Sequence, residues 1–396
     1  MSVQLHGTAG IDGVSINSST PNSGNFTSVN ISTGVLSATT GQNLNLSTNG
    51  SQKLRIDTNG NLKLLAAAGF QNATSDAFSP YVGLKNKIIN GDFDIWQRAT
   101  VQSTSGYGSN DHWGDYQGGS VKVHSRQTFP VGQTDVPNNP KYFSRTTVTS
   151  VAGASNFILK NQYIEDVTKS SGKTYTLSFW AKADASKNIA VEFLQYFGTG
   201  GSPSTTVSAL GITTFALTTT WQKFTTTVTF PSVSGKLIGT NGNDAYGVNF
   251  WFDAGSTYNS RTNSLGQQSG VFDLAQVQLE EGSVATPFES RPISLETALC
   301  QRYYEQIYGV AADGFGITAN VSVGCSAWVQ FNTPKRVVPS VSISGTWAVV
   351  NCGQPTGAGA TTTGARISTT TTASLSLCSF ASNSTDDFII IDAEIQ

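Results

Sequence analysis

The segment FDLAQVQLEEGSVATPFESRPISLETALCQRYYE, Phe272 to Glu305, separates a long N-terminal part of the chain from a shorter C-terminal one. Its first part, Phe272 to Leu279, alternates apolar and polar residues with the period of two expected of a half-buried strand. Glu280-Glu281-Gly282 ends that strand, and Pro287 and Pro292 keep the next residues extended. Ser294 is placed as a helix N-cap, Glu296 falls where the helix dipole favours an acid, and Gly309 supplies a stop. Leu295, Leu299, Arg302, Tyr303 and Gln306 then share one face of a short linking helix over residues 293–308.

Outside this segment the composition is that of an all-β protein. Only 12% of the 396 residues are charged, and Gly, Ser, Thr and Asn are abundant, which suits many short strands and turns better than helices. A net charge of −2 offers no basic surface for nucleic acid or anionic lipid. No apolar run approaches the ~18 residues of a membrane span, so no membrane insertion is expected. The start MSVQLHGTAG lacks a signal-peptide pattern, and folding in a cytoplasm is expected. Cys300, Cys325, Cys352 and Cys378 form no CxxC pair and lie far in sequence from His6, His112 and His124. Buried free thiols are therefore expected rather than a zinc site.

Three regions emerge from the pattern. Residues 1–83 repeat short apolar-polar strands closed by Asn-Gly, as in Leu44 to Gly50 and Leu54 to Gly60. One such strand cannot bury its apolar face alone, so the reading is either a fibrous β-repeat wound from three chains or a polar linker. Residues 84–292 carry strand signals at Lys173–Ala181, Ile189–Tyr196, Trp221–Phe230, Tyr246–Asp253 and Val271–Leu279, the pattern of a central jelly-roll β-sandwich. Trp180, Trp221 and Trp251 lie in those strands as core candidates. Residues 309–396 read as a small C-terminal β-sandwich tip with strands at Val321–Phe331, Ser340–Val350, Ser374–Phe380 and Phe388–Ile395. There Trp328 and Trp347 are expected in the core, and Gln354–Thr372 is expected as an exposed Gly/Thr/Ala-rich loop.

The run VQLEEGSVATPFESRPISLETALCQRYYE resembles the junction of tailed-bacteriophage tail fibre and receptor-binding proteins, where a sandwich ends and a short helix leads to a variable tip. The strands around Asn90-Gly91-Asp92-Phe93-Asp94, Tyr175 to Lys182, Trp221 to Phe224 and Phe272 to Leu279 are similar to those of jelly-roll carbohydrate-binding modules. The resemblance implies a homotrimer. Its N-terminus would attach to a phage tail adaptor, nozzle or baseplate protein, and its distal domains would recognise host surface polysaccharide or lipopolysaccharide. It implies a virion location after synthesis in the host cytoplasm and release by lysis. It also implies a structural Ca²⁺ held by Asp92, Asp94 and Asp273, the alternative being that these carboxylates cap turns or face water. The loop aromatics Trp113 and Tyr116 are the ligand-platform candidates, although Trp113 also matches framework in the resembling proteins.

No catalytic constellation stands out. Adjacent carboxylates such as Glu165/Asp166 point to opposite faces of a strand, and a G-x-S-x-G elbow is missing. A non-enzymatic adhesin is therefore expected. The alternatives are a glycan depolymerase spike and a monomeric carbohydrate-binding module.

Overall fold

The computed structural model describes residues 84–315, 325–372 and 377–395, together with the strands Leu44–Thr48, Ser51–Ile56, Leu62–Leu64, Phe70–Gln71 and Ala77–Phe78. The chain divides into two compact units, Met1–Phe78 and Ser79–Gln396. In the first, Leu44–Thr48, Ser51–Ile56 and Leu62–Leu64 form an antiparallel three-stranded sheet, with Leu44 opposite Ile56 and Leu54 opposite Leu64. The alternating repeats thus pair with each other within one chain. The unit at Val29–Gly34 lies outside the described residues.

The second unit opens with an all-β sandwich. Its ten main strands are β1 (Gly114–Gly118), β2 (Val121–Thr128), β3 (Tyr142–Thr149), β4 (Phe157–Glu165), β5 (Thr174–Ala183), β6 (Lys187–Tyr196), β7 (Val207–Leu217), β8 (Gln222–Thr229), β9 (Ala245–Ala254) and β10 (Gly270–Glu281). One sheet runs β7-β6-β9-β4-β1; the other runs β8-β5-β10-β3-β2 and ends on a short edge at Val101–Gln102. Between them Phe179 meets Phe250 edge-to-face at 5.1 Å and Phe215 at 5.3 Å, and Tyr175, Phe193, Phe230 and Tyr246 continue the aromatic layer.

The closing strand carries a defect. Phe272 and Leu274 face the core at even positions, Val277 and Leu279 at odd ones. The phase slips because Ala275 pairs with Trp180 but Gln278 with Ser178, so two residues oppose Phe179 alone. Gln276 takes φ +47° at this bulge. Its side chain, freed from the sheet face, donates 2.8 Å to the Pro137 carbonyl.

The linking segment is clamped onto that strand by its own polar residues. Thr286 donates its backbone N–H (2.8 Å) and hydroxyl (2.6 Å) to Glu280, and the Glu289 N–H reaches Gln278 Oε1 at 2.8 Å. Arg291, buried, pairs with Glu296 at 3.2 Å and donates to the carbonyls of Ile88 and Asn86. These bonds explain why β10 is buried on both faces although its outer positions are Gln and Glu.

The helix is shorter than the sequence predicts. It spans Ile293–Gln301 with Pro292, not Ser294, at the N-cap position, and Tyr304–Tyr308 is already a strand. Tyr304 pairs with Asp392 and Tyr308 with Phe388, so a long-range sheet captures residues whose spacing also suits a helix. Among the described residues the part from Tyr304 onward forms three three-stranded antiparallel sheets, referred to below as the tip. Gln354–Thr372 is not a loop but contains Thr356–Ala360 and Gly364–Ser368, and Ser340–Val350 is two strands, Ser340–Ser344 and Ala348–Val350. Trp347 is buried as expected, whereas Trp328 stands 57% exposed. All four cysteines are buried free thiols.

The tip is joined to the sandwich through buried charge. Glu394 lies between Arg98 Nη2 at 3.1 Å and His112 Nδ1 at 2.8 Å, with all three side chains largely or wholly covered. Burial opposes the Glu394 charge, but His112 and Arg98 outweigh it and hold its pKa below the ordinary value. Tyr303 stacks on His112 at 3.7 Å, Arg98 lies 3.6 Å over the Tyr304 ring, and Arg302 grips Glu165 at 2.8 and 2.7 Å. Glu394→Ala would leave the buried Arg98 guanidinium and the His112 ring without the carboxylate they share, at an expected loss of about 3–5 kcal/mol. Urea denaturation should show it, with Glu394→Gln intermediate because it keeps a hydrogen-bond acceptor.

Candidate functional site

A groove of about 520 Å³ crosses the outer face of the five-stranded sheet. Strand alternation builds it: Phe157, Leu159, Asn161 and Tyr163 face outward from β4, while Ile158 and neighbouring even-numbered residues turn inward. Tyr116 comes from β1, Leu194 and Tyr196 from β6, Ser208 from β7, and Asn249 from β9. Ile395 of the tip closes one end, where its carbonyl accepts the Tyr107 hydroxyl at 3.0 Å.

One cross-strand row makes the polar floor: Glu192 pairs with Asn249, Asn249 with Asn161, and Asn161 with Gly114. A Cβ at Gly114 would lie 2.4 Å from Asn161 Oδ1 and 2.5 Å from the Tyr116 ring, so any other residue there would displace these groove side chains. The Glu192 carboxylate is wholly buried and accepts from Asn249 Nδ2 (2.8 Å), Trp251 Nε1 (3.1 Å), Ala209 N (3.0 Å) and the Arg261 guanidinium. With its oxygens saturated, Glu192 serves to fix Asn249 and Arg261 at the groove surface. Asn161 Oδ1, by contrast, is buried without a hydrogen-bond partner.

The walls are aromatic. Tyr116, Phe157, Tyr163 and Tyr196 are each partly exposed, and Tyr163 and Tyr196 lie 5.9 Å apart. Burial, reinforced by Tyr163, Glu394 and Asp115, pushes the Tyr116 hydroxyl up to about 12, so it stays a neutral donor and acceptor. No lining residue of the groove carries a carboxylate.

Of the two ligand candidates read from the sequence, the structure places Tyr116 in this groove and removes Trp113. The Trp113 indole is fully buried against Phe93 and Phe250, and its N–H donates 3.1 Å to the Asn90 carbonyl. Its loop is turned inward by His112, which has φ +62°, so the ring is core and cannot be a platform. Sequence reading missed Tyr163, Tyr196, Asn161 and Asn249. The signal that could have found them was alternation along β4, β6 and β9, with aromatic and amide side chains at positions facing away from the core.

The three carboxylates considered for calcium are not brought together. Asp273 is gripped by Arg145 through two bonds of 2.8 Å and lies 3.9 Å from Lys182. Asp92 and Asp94 instead line a cleft of about 20 Å³ with Glu289, Arg291 and Glu296. Asp92 Oδ1 is orphaned there, and burial, then Asp94 and Glu296, raise its pKa to about 8. Among the described residues no group of three or more His, Cys, Asp or Glu side chains is arranged to hold a metal ion. The proposed ligand set does not fit the ion.

No family model matches the chain, and no curated protein matches its sequence. Among solved structures it is similar to one described as "CBM4 structure and function", at 21% identity and a TM-score of 0.28, over 49% of this chain and 98% of that one. It is also similar to a family 11 carbohydrate-binding module from Clostridium thermocellum, at 13% identity and a TM-score of 0.26, over 46% and 95% of the two chains. A third is the enzymatically active domain of bacteriophage CBA120 tailspike protein 4, at 11% identity and a TM-score of 0.29, over 50% of this chain and 21% of that one. At such distances a likeness transfers neither ligand nor activity to this chain.

The cleft yields a pH test. Because the folded state keeps the Asp92 proton up to about pH 8, while the unfolded chain releases it near pH 4, stability falls as pH rises through that window. Asp92→Asn removes this loss. Its melting temperature should rise relative to the parent on going from pH 5 to pH 8. The gain should be the same in EDTA and in calcium, whereas a ligating Asp92 would make the variant calcium-insensitive and less stable.

Proposed function

We propose that this chain is a non-catalytic glycan-binding protein, and that it serves as a homotrimeric tail-fibre subunit of a tailed phage. The observation that carries the first part is the groove: four partly exposed aromatic rings around a floor of neutral amides, with Asn249 and Arg261 fixed there by Glu192. Aromatic faces suit the C–H faces of sugars, and neutral amides and phenols suit their hydroxyls. A lining without carboxylates favours binding over glycoside hydrolysis, which needs an acid pair.

The second part rests on the sequence resemblance at the Val277–Glu305 junction. In this reading residues 1–83 join the virion tail, host surface polysaccharide or lipopolysaccharide is the target, and three weak sites act together.

A glycan array probed with the full chain and with Tyr196→Ala tests the groove. Binding should fall about tenfold in the variant, the loss of one stacking ring (~1.4 kcal/mol). An empty array, or a variant that binds like the parent, overturns the groove assignment. A solution mass near three copies of the 41.8 kDa chain, about 125 kDa, is expected for the fibre subunit. A monomer rejects it, and shortening of a bound polysaccharide during incubation rejects the non-catalytic reading.

A further inference from the structure

We propose that the tip carries a second binding site, for an anionic saccharide, on the outer face of the sheet formed by Ser326–Gln330, Gly364–Ser368 and Thr356–Ala360. This goes beyond the groove reading and does not depend on it.

Strand alternation divides that sheet. Val329, Ala365 and Ile367 turn into the tip core, while Ser326, Trp328, Arg366 and Ser368 face outward. Trp328 pairs with Arg366 and Ser326 with Ser368 across the two strands. The indole lies directly over Gly364, where a Cβ would come within 2.7 Å of the ring, so a glycine seats the ring on the sheet. On its other side Arg366 pairs with Gly359, which has no side chain to cover it. The result is a row of indole, guanidinium and open backbone. Beside it a hollow of about 490 Å³ is lined by hydroxyls and an amide, among them Ser326, Gln354, Thr356 and Ser368, with no carboxylate.

Two features of this row call for a ligand. Trp328 is 57% exposed in a domain that buries its other tryptophan, Trp347. The Arg366 side chain has no hydrogen bond, ion pair or ring contact among the described residues, whereas Arg98, Arg145, Arg261, Arg291, Arg302 and Arg336 all have partners. The ring supplies a stacking face, the guanidinium a fork for a carboxylate or phosphate, and the hydroxyls and amide a set of partners for sugar hydroxyls. A second copy of this chain fits less well. It would bury Arg366 in a surface that would have to bring its own acid, and uncompensated burial of that charge is costly.

The test uses the full chain and three probes: an oligogalacturonate, a phosphorylated mannan oligomer and a neutral galactan oligomer. Tryptophan fluorescence and calorimetry should show binding of at least one charged probe at or below about millimolar concentration, and the stronger of the two identifies carboxylate or phosphate as the group recognised. Arg366→Gln and Trp328→Ala should each weaken it about tenfold or more with melting temperature unchanged, since both side chains are exposed, while Tyr196→Ala should not alter it. The proposal is overturned if neither charged probe binds, if the neutral oligomer binds this face equally well, or if both tip variants bind like the parent. Loss of binding in Tyr196→Ala alone would place the charged probe in the groove and also overturn it. Protection of Trp328 from acrylamide in the unliganded protein would show a second copy covering the face, and the site would again be rejected.

Discussion

A carboxylate that has to stay charged while wholly buried governs the second unit. Glu394 sits near the end of the chain, and its partners are the guanidinium of Arg98, just after the opening segment, and the ring of His112, in the loop before β1. A buried carboxylate without partners would be strongly destabilising, so the final segment has to dock where those groups wait. That docking sets Tyr303 on His112, places Tyr304 under Arg98 and brings the Ile395 carbonyl to Tyr107. The groove then gains a closed end because the tip is held where it is.

The opening segment supplies the other half of this arrangement. Asn86 bridges to β10 through the Val277 carbonyl (3.2 Å) and the Leu279 N–H (3.0 Å). Asn90 bonds the Ile95 backbone on both sides, at 2.9 and 2.8 Å, and its carbonyl receives the Trp113 indole N–H. Such local bonds hold an irregular backbone, with Asn90 and Phe93 both at positive φ, in one conformation. From it Arg98 leaves in the direction of Glu394. The asparagines shape the chain and the buried ion group fixes what it meets.

The two candidate surfaces follow from one rule applied to two sheets. In each, alternate residues of a strand fill the core and the rest face outward, and the outward set is too aromatic and too polar to serve packing alone. In the groove the unmatched group is a neutral acceptor, Asn161 Oδ1; on the tip it is a cation, Arg366. The difference in charge is what separates a neutral from an anionic ligand.

How much of this could be read in the sequence depends on the range of the forces involved. Local pattern is enough for the all-β class, the sandwich strands, the alternation of the N-terminal repeats and the buried free thiols. Those depend on period and composition, which act within a few residues. The bulge in β10 was not read from that pattern, which looks like an unbroken alternation until the register across from Phe179 is known. The remainder was settled by long-range packing. The helix ends at Gln301 because Tyr304–Tyr308 pairs with the distant strand Phe388–Asp392, and pairing energy overrides a helical spacing. Trp113, in a polar loop sequence, became core, and Trp328, in an apolar strand sequence, became surface, because inward and outward are defined only once sheets face each other. Asp273 went to Arg145 rather than to Asp92 for the same reason: which charges meet is settled by strand order, and strand order is not a local property of the chain.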